Sequence, residues 1–357
     1  MRVSRLPWAL LPALILTAPS RPAACKDEPP RFALGAALSA YEPTEERDLR
    51  EVELLYASLS ASFREKGFGA RVEIRGREGK LREYYPSSLW LEEGYAFVET
   101  PLGEVRAGKV ASVVGPSDDP SFGGDLLSLN GVNRNPDWGV LVAGSRSFGW
   151  NSLEWAARWA GRNDRVAWEE EGKGVESDLA AWLEDGLSAR VSFLLNRGLW
   201  TLRPALSGGT ARIVPDDGRP EYRRSDGMAG VTATLGPVSL ELSGLARSAP
   251  DPLPGEVRPL AERDGSALFA GLRAEFPTVV YRYTYSEWRY EGASSNERIH
   301  QPAVSWVGRK GIEAIVEYEA RRIRTGGSAR NVNAFRLGIV LRFPFGAAPG
   351  AGRGGKG

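Results

Sequence analysis

A period of two runs through this chain almost from end to end, and it limits the fold more than any other feature. In "FGARVEIR", Phe68, Ala70, Val72 and Ile74 share one face, while Arg71, Glu73 and Arg75 share the other. "LSARVSFLLN" sets Leu187, Ala189, Val191, Phe193 and Leu195 against Ser188, Arg190, Ser192 and Asn196. The same division recurs in "SALFAGLRAEF" and "IEAIVEYEAR". About sixteen such segments are expected, within a range of about fourteen to eighteen: 31–41, 51–64, 67–77, 88–99, 103–114, 136–147, 151–161, 186–196, 198–207, 225–235, 237–247, 266–276, 278–289, 299–308, 311–322 and 332–344. Each is close to the roughly 9–11 residues that a tilted membrane-crossing strand needs.

The links between these segments alternate in length. Short ones are "REKG", "TPLG", "SFGWN", "NRG", "LGP", "EFPT" and "GRKG". Longer polar ones include "YEPTEERDLR", "GREGKLREYYPS", the region 115–135, "GGTARIVPDDGRPEYRRSDG" and "RTGGSARN". One long link, "EEEGKGVESDLAAWLEDG", has the composition of a short helix in a solvated loop. Tight turns at one end and long loops at the other, with an even strand count, are the wiring of an antiparallel membrane barrel. A sandwich has no reason to alternate so regularly.

The two faces differ in kind. The apolar face carries Leu, Val and Ala in mid-strand, with aromatics towards the ends: Phe63, Tyr95, Phe97, Trp155, Trp159, Trp200, Phe276, Tyr281, Tyr283, Tyr285, Trp306, Tyr318 and Phe343. Such ends fit girdles at the two lipid headgroup levels. The opposite face carries Arg71, Arg75, Arg106, Arg158, Arg190, Arg203, Arg282 and Arg336 together with the acids Glu73, Glu104, Glu313 and Glu317. Burying so many ions without water costs several kcal/mol each, so the interior is expected to be wet. Any one arginine either lines a passage or is paired with a neighbouring glutamate of the wall.

Composition removes most other chemistries. The 357 residues hold one Cys and one His, so no disulfide can form within the chain, and neither a metal site nor a His-based catalytic triad is expected. His300, in "NERIHQP", has no ligand-spaced neighbours and is assigned a structural role. Lys and Arg number 46 against 45 Asp and Glu, which gives no bulk attraction to nucleic acid. "SGGT" lacks the lysine and helix of a phosphate loop. The chain is therefore expected to be neither an enzyme nor a cofactor carrier.

At the amino end, Arg2 and Arg5 precede an apolar run from Leu6 to Ala18 and then small residues, the layout of a secretory signal peptide over 1–24. Residues 25–30 form a leader, 31–345 the barrel, and 346–357 a Gly-rich disordered tail. Cys25 is either a lipidated terminus or an unpaired thiol.

Three stretches resemble bacterial outer-membrane porins. "RLGIVLRF" is similar to the last strand of these barrels, read by the barrel assembly machinery, with Arg336, Gly338, Leu341 and Phe343 at the matching positions. The chain departs by continuing past the terminal aromatic. "YAFVETPLGEVRAGKVAS" looks like a porin strand–turn–strand. In "SDDPSFGGD", residues Pro120, Phe122, Gly123, Gly124 and Asp125 match the "PEFGGD" of the inward-folded third outer loop of general porins. Ser121 stands in place of the glutamate, and Asp118 and Asp119 immediately precede the match.

The resemblance implies an all-β, transmembrane antiparallel barrel in the outer membrane of a Gram-negative bacterium, in contact with membrane lipids and assembled as a homotrimer. It implies a channel for passive diffusion of small polar or anionic solutes and ions, narrowed where the loop acids face the arginine wall. The alternatives are a non-conducting, structural or partner-binding barrel and, more remotely, a soluble secreted β-rich binding protein.

Overall fold

The computed structural model describes residues 28–43, 51–76, 89–115, 137–162, 181–215, 220–249, 264–290, 296–308, 311–325 and 328–345. The expected signal peptide, the Gly-rich tail and Asp118 to Asp125 lie outside the described residues.

The alternating segments form sixteen strands: β1 (Glu28–Pro43), β2 (Glu51–Glu65), β3 (Phe68–Gly76), β4 (Leu89–Thr100), β5 (Gly103–Val110), β6 (Asp137–Phe148), β7 (Asn151–Arg162), β8 (Ala181–Arg197), β9 (Trp200–Pro215), β10 (Tyr222–Leu235), β11 (Val238–Ser248), β12 (Gly265–Glu275), β13 (Val279–Tyr290), β14 (Asn296–Val307), β15 (Ile312–Thr325) and β16 (Ser328–Phe345). Each pairs antiparallel with its sequence neighbours, and β1 closes on β16 in the register Leu34↔Phe343 to Ala40↔Leu337. Closure leaves no unpaired edge, which satisfies the backbone of every strand inside a hydrocarbon layer.

The two-residue turns use the backbone freedom that tight hairpins require. Between β2 and β3, Lys66 (φ 46°) and Gly67 (φ 84°) both take positive φ, which matches the twist of the flanking strands. Seven short turns lie at the end of the barrel that also holds both termini of the sheet. The other end carries the links from odd to even strands, and these are mostly longer.

Three differences from the sequence reading concern this second end. β9 continues to Pro215 and β10 begins at Tyr222, so much of the expected loop "GGTARIVPDDGRPEYRRSDG" is paired strand. Ala181–Gly186, the end of the segment expected to turn into a helix, belongs to β8; the chain absorbs extra residues there in a bulge with Asp185 at φ 47°. The link from β15 to β16 is as short as the opposite turns, with Thr325 paired to Ser328. Cross-strand pairing overrides the Gly, Pro and charged composition at all three places.

Burial alternates as the sequence does. On the outside stand Leu187, Leu206, Leu268, Val316 and Leu337, each half exposed or more. An apolar surface repeated around the whole barrel far exceeds the few hundred Å² that a water-soluble protein exposes in one patch. At the end with the tight turns, outward aromatics meet edge to face, Phe63 with Phe68 at 6.4 Å and Phe276 with Tyr281 at 6.1 Å, and Trp306 and Phe343 are exposed at the same end. Two aromatics depart from the expected face. Phe97 pairs in register with Arg106 and Tyr95 with Gly108, so both rings point inward with the ions of β5, while Val98 faces out. The β-bulge that offsets β3 from β4 between Glu73 and Ile74 locates the change of phase.

Candidate pore interior

The interior wall formed by β2 to β5 is a lattice of alternating charges. Arg64 donates to Glu99 at 3.0 Å and to Glu104 at 2.5 Å, and Glu104 also accepts from Arg106 at 2.6 Å. Arg71 reaches Glu93 at 2.6 Å and Glu73 at 3.4 Å. Arg75 contacts Glu73 at 2.8 Å and Glu92 at 3.0 Å. Two guanidinium groups lie over the inward rings, Arg64 above Phe97 at 4.7 Å and Arg106 above Tyr95 at 5.0 Å. Period-two spacing produces this arrangement directly, because ions two residues apart on one strand share a face with those on the next. Glycine makes room where the rings lie flat, since a Cβ on Gly69 would collide with the Phe97 ring.

A second group surrounds the stem of the link between β5 and β6. After Val110 the chain leaves the sheet, and Val113, Val114 and Gly115 are buried. Arg190 of β8 donates to the Gly115 carbonyl at 3.1 Å. At the far end of the same link, the buried Arg158 of β7 is ion-paired to Asp137. Arg203 faces Glu154 at 3.6 Å, and Ser192 donates to Glu154 at 3.1 Å. A cavity beside this stem is lined by Gly115, Arg190, Arg203, Met228, Glu241 and Ser243. To reach Arg190, the stem must bend across the faces of β6 and β7. Its bend is therefore inward.

On the far wall, Arg282 bridges to Glu313 at 3.1 Å and donates to Ser305 at 3.1 Å. Arg336 contacts Glu319 at 2.8 Å and Glu317 at 3.4 Å. Thr284, Ser286, Gln301, Ser305 and Glu317 are almost completely excluded from solvent. The eight expected interior arginines thus all project inward, and each has a partner: seven are ion-paired to wall carboxylates, and Arg190 holds a backbone carbonyl. The four named acids Glu73, Glu104, Glu313 and Glu317 take part in the same pairs. The sequence left open whether such arginines would be paired, and the answer is that they are.

The interior is not wet throughout, as the density of charge had implied. Val110, Val113 and Val114 join Leu141, Met228, Leu245, Phe269, Trp288 and Ile299 in one buried apolar cluster. Its members come from opposite walls, β5 and β6 on one side and β10 to β14 on the other. Consecutive apolar residues carry the signal that alternation missed. In "ALFAG", Leu268 faces out and Phe269 faces in, so a short apolar run means that both faces are apolar.

Of the proposed assembly residues, Arg336 and Gly338 face inward and Phe343 outward, with Leu341 between Ala36 and Ile312 and Phe343 beside Leu34 in the closing seam. Among the described residues no group of three or more His, Cys, Asp or Glu is arranged to hold a metal.

The geometry defines a class. No family model matches the chain, and no curated protein sequence does. Solved structures do. The chain is similar to OmpF of Salmonella typhi, solved with daunomycin, at 12% identity and a TM-score of 0.60 over 88% of this chain and 97% of that one. It is similar to OmpT, an outer-membrane protein of Vibrio cholerae in a trimer form, at 12% identity and a TM-score of 0.59 over 88% and 99%. An anion-selective porin from Comamonas acidovorans matches at 13% identity and a TM-score of 0.58 over 89% and 100%. The likeness is one of fold: the chain is a closed, sixteen-stranded antiparallel β-barrel with the fold of outer-membrane porins.

Proposed function

We propose that the protein is a passive channel of a Gram-negative outer membrane, exported through its amino-terminal signal peptide, for small polar or anionic solutes and ions. One observation carries the reading: a closed barrel that is apolar outside and lined inside by charges. That inversion suits a tube with hydrocarbon around it and water within it. Because the wall arginines are largely neutralised by wall glutamates, selectivity by charge is weak and size and polarity dominate.

The third outer loop supplies the constriction in this reading. Its stem turns inward at Val113 to Gly115, towards Arg190 and Arg203, and Asp118, Asp119 and Asp125 follow within the same loop. Acids opposite arginines set a transverse field that orders water and orients dipolar solutes. Arg336, Gly338, Leu341 and Phe343 serve as the signal for the barrel assembly machinery, and the functional unit is a homotrimer, by likeness to porins such as the trimer form of OmpT.

Purified protein in planar lipid bilayers is expected to give stepwise conductance. Replacing Asp118, Asp119 and Asp125 together by Asn is expected to shift the reversal potential in a salt gradient towards anion preference. An unchanged potential would remove those acids from the constriction. A second reading is a closed, structural or partner-binding barrel, and one observation favours it: the apolar cluster that crosses the interior. Absence of any current would decide for it.

A further inference from the structure

The outer face of β13 to β15 is layered, and among the described residues its top layer holds more arginines than acids. Cross-strand register places Tyr281, Val304 and Val316 in one outward row and Tyr285 and His300 in a higher one. One row above stand Glu287, Arg298 and Arg322, and above them Arg289 and Arg324. Rows are two residues apart, roughly 7 Å along each strand. The order is apolar, aromatic, then cationic, the sequence that a chain meets on passing from hydrocarbon through the interface to lipid headgroups.

Within this layer the acid is committed. Glu287 accepts from Tyr285 at 2.6 Å, Arg289 at 2.8 Å and Arg298 at 3.3 Å, while the Tyr283 hydroxyl and His300 Nδ1 lie 2.8 Å apart just below. Arg322 and Arg324 are exposed and have no acidic partner among the described residues. Among the described residues of this layer, four guanidinium groups stand beside one carboxylate, which contacts two of them. The rim at β8 to β10 provides the contrast, since Arg212 there contacts Glu184 at 2.5 Å, Glu221 at 3.0 Å and Asp185 at 3.4 Å. Among the described residues, three acids meet Arg212 on that rim, whereas one carboxylate stands among four arginines here.

We propose that Arg322 and Arg324, with Arg298 beside them, form a docking site for the phosphate groups of an outer-leaflet lipid headgroup. Guanidinium forks match phosphate oxygens in pairs, and Glu287 holds Arg298 and Arg289 in orientation without neutralising the layer. A surplus of positive charge complements a lipid that carries phosphates on its outermost sugar or glycerol. The face is then one that recruits a particular lipid to one side of the barrel. The inference rests on the outer-membrane reading, but not on conductance.

The test uses the whole barrel in detergent micelles, with labelled diphosphoryl lipid A as the probe and fluorescence anisotropy as the readout. Wild type is expected to bind it, and the Arg322→Gln/Arg324→Gln variant to bind roughly 30-fold more weakly, the effect of two headgroup-level arginines. Dephosphorylated lipid A is expected to bind wild type no better than the phosphorylated lipid binds the variant. Heat-dependent gel migration checks that the variant is folded, and Arg322→Lys/Arg324→Lys, which retains the charge, is expected to keep most of the binding. Equal binding by wild type and the Gln variant overturns the proposal. So does competition by inorganic phosphate at matched concentration, which would mean a free-anion site, or a change in oligomeric mass caused by the Gln variant without lipid, which would mean a protein contact. A barrel that binds the lipid but passes no current leaves this inference standing and removes the channel.

Discussion

Trp288 shows how much a single inward side chain can decide. It is fully buried in the interior of a barrel, its ring lies 5.0 Å beneath the Arg247 guanidinium, and Gly265 leaves the space its indole nitrogen occupies. Arg247 is itself held by Asp226 at 2.7 Å. Truncation removes the largest member of the apolar cluster and the π-face on which a buried cation rests. Trp288→Ala is expected to cost about 3–5 kcal/mol, read as a lower urea midpoint of the barrel in detergent. Little of this was legible in the sequence. In "EWRY" the charged residues alternate with aromatics, which by the rule of the other strands turns Trp288 towards lipid, and nothing local says that residues from β5, β10 and β14 share its cluster inside. Tyr95 and Phe97 taught the opposite lesson: aromatic type argued for the lipid face, and a bulge in the neighbouring pair of strands placed them with the ions.

At the scale of elements, strands were easy to read and loops were not, for a physical reason. A strand with one face in lipid must alternate, so its pattern survives without knowledge of its partners. A loop that extends a hairpin beyond the membrane is under no such demand, and β8, β9 and β16 run further than their composition implies. The link between β5 and β6 was legible in its position after the fifth strand. Its anchoring was not, because Arg190 lies 75 residues from Gly115. Arg190→Met removes the donor that holds the Gly115 carbonyl, at a cost in stability of about 1.5–3 kcal/mol. If the protein conducts as proposed, the larger expected effect is electrical: noisier open-channel current and a broadened conductance distribution in bilayer recordings, with far-ultraviolet circular dichroism unchanged.

At the scale of the whole molecule, the even strand count, the closure of β1 on β16 and the inversion of polar and apolar faces were all open to inspection in one dimension. Each follows from repetition. What could not be read was asymmetry around the barrel, because a repeat makes every strand look alike. Around the circumference the described residues divide: the β2 to β5 wall is ionic and part-exposed, the β13 to β16 wall is nearly solvent-free, and the outer face of β13 to β15 carries the arginine layer. Inner-face charge can be read strand by strand from alternation, but which charges stay accessible depends on the facing wall.

The apolar cluster that joins Val113 and Val114 to Phe269, Trp288 and Ile299 has a mechanical side. A thin-walled cylinder under lateral membrane pressure fails by flattening into an ellipse, and its hydrogen-bonded hoop resists stretching far better than bending. A brace between facing walls removes the softest of those deformations. The valines that join the two walls therefore oppose that flattening.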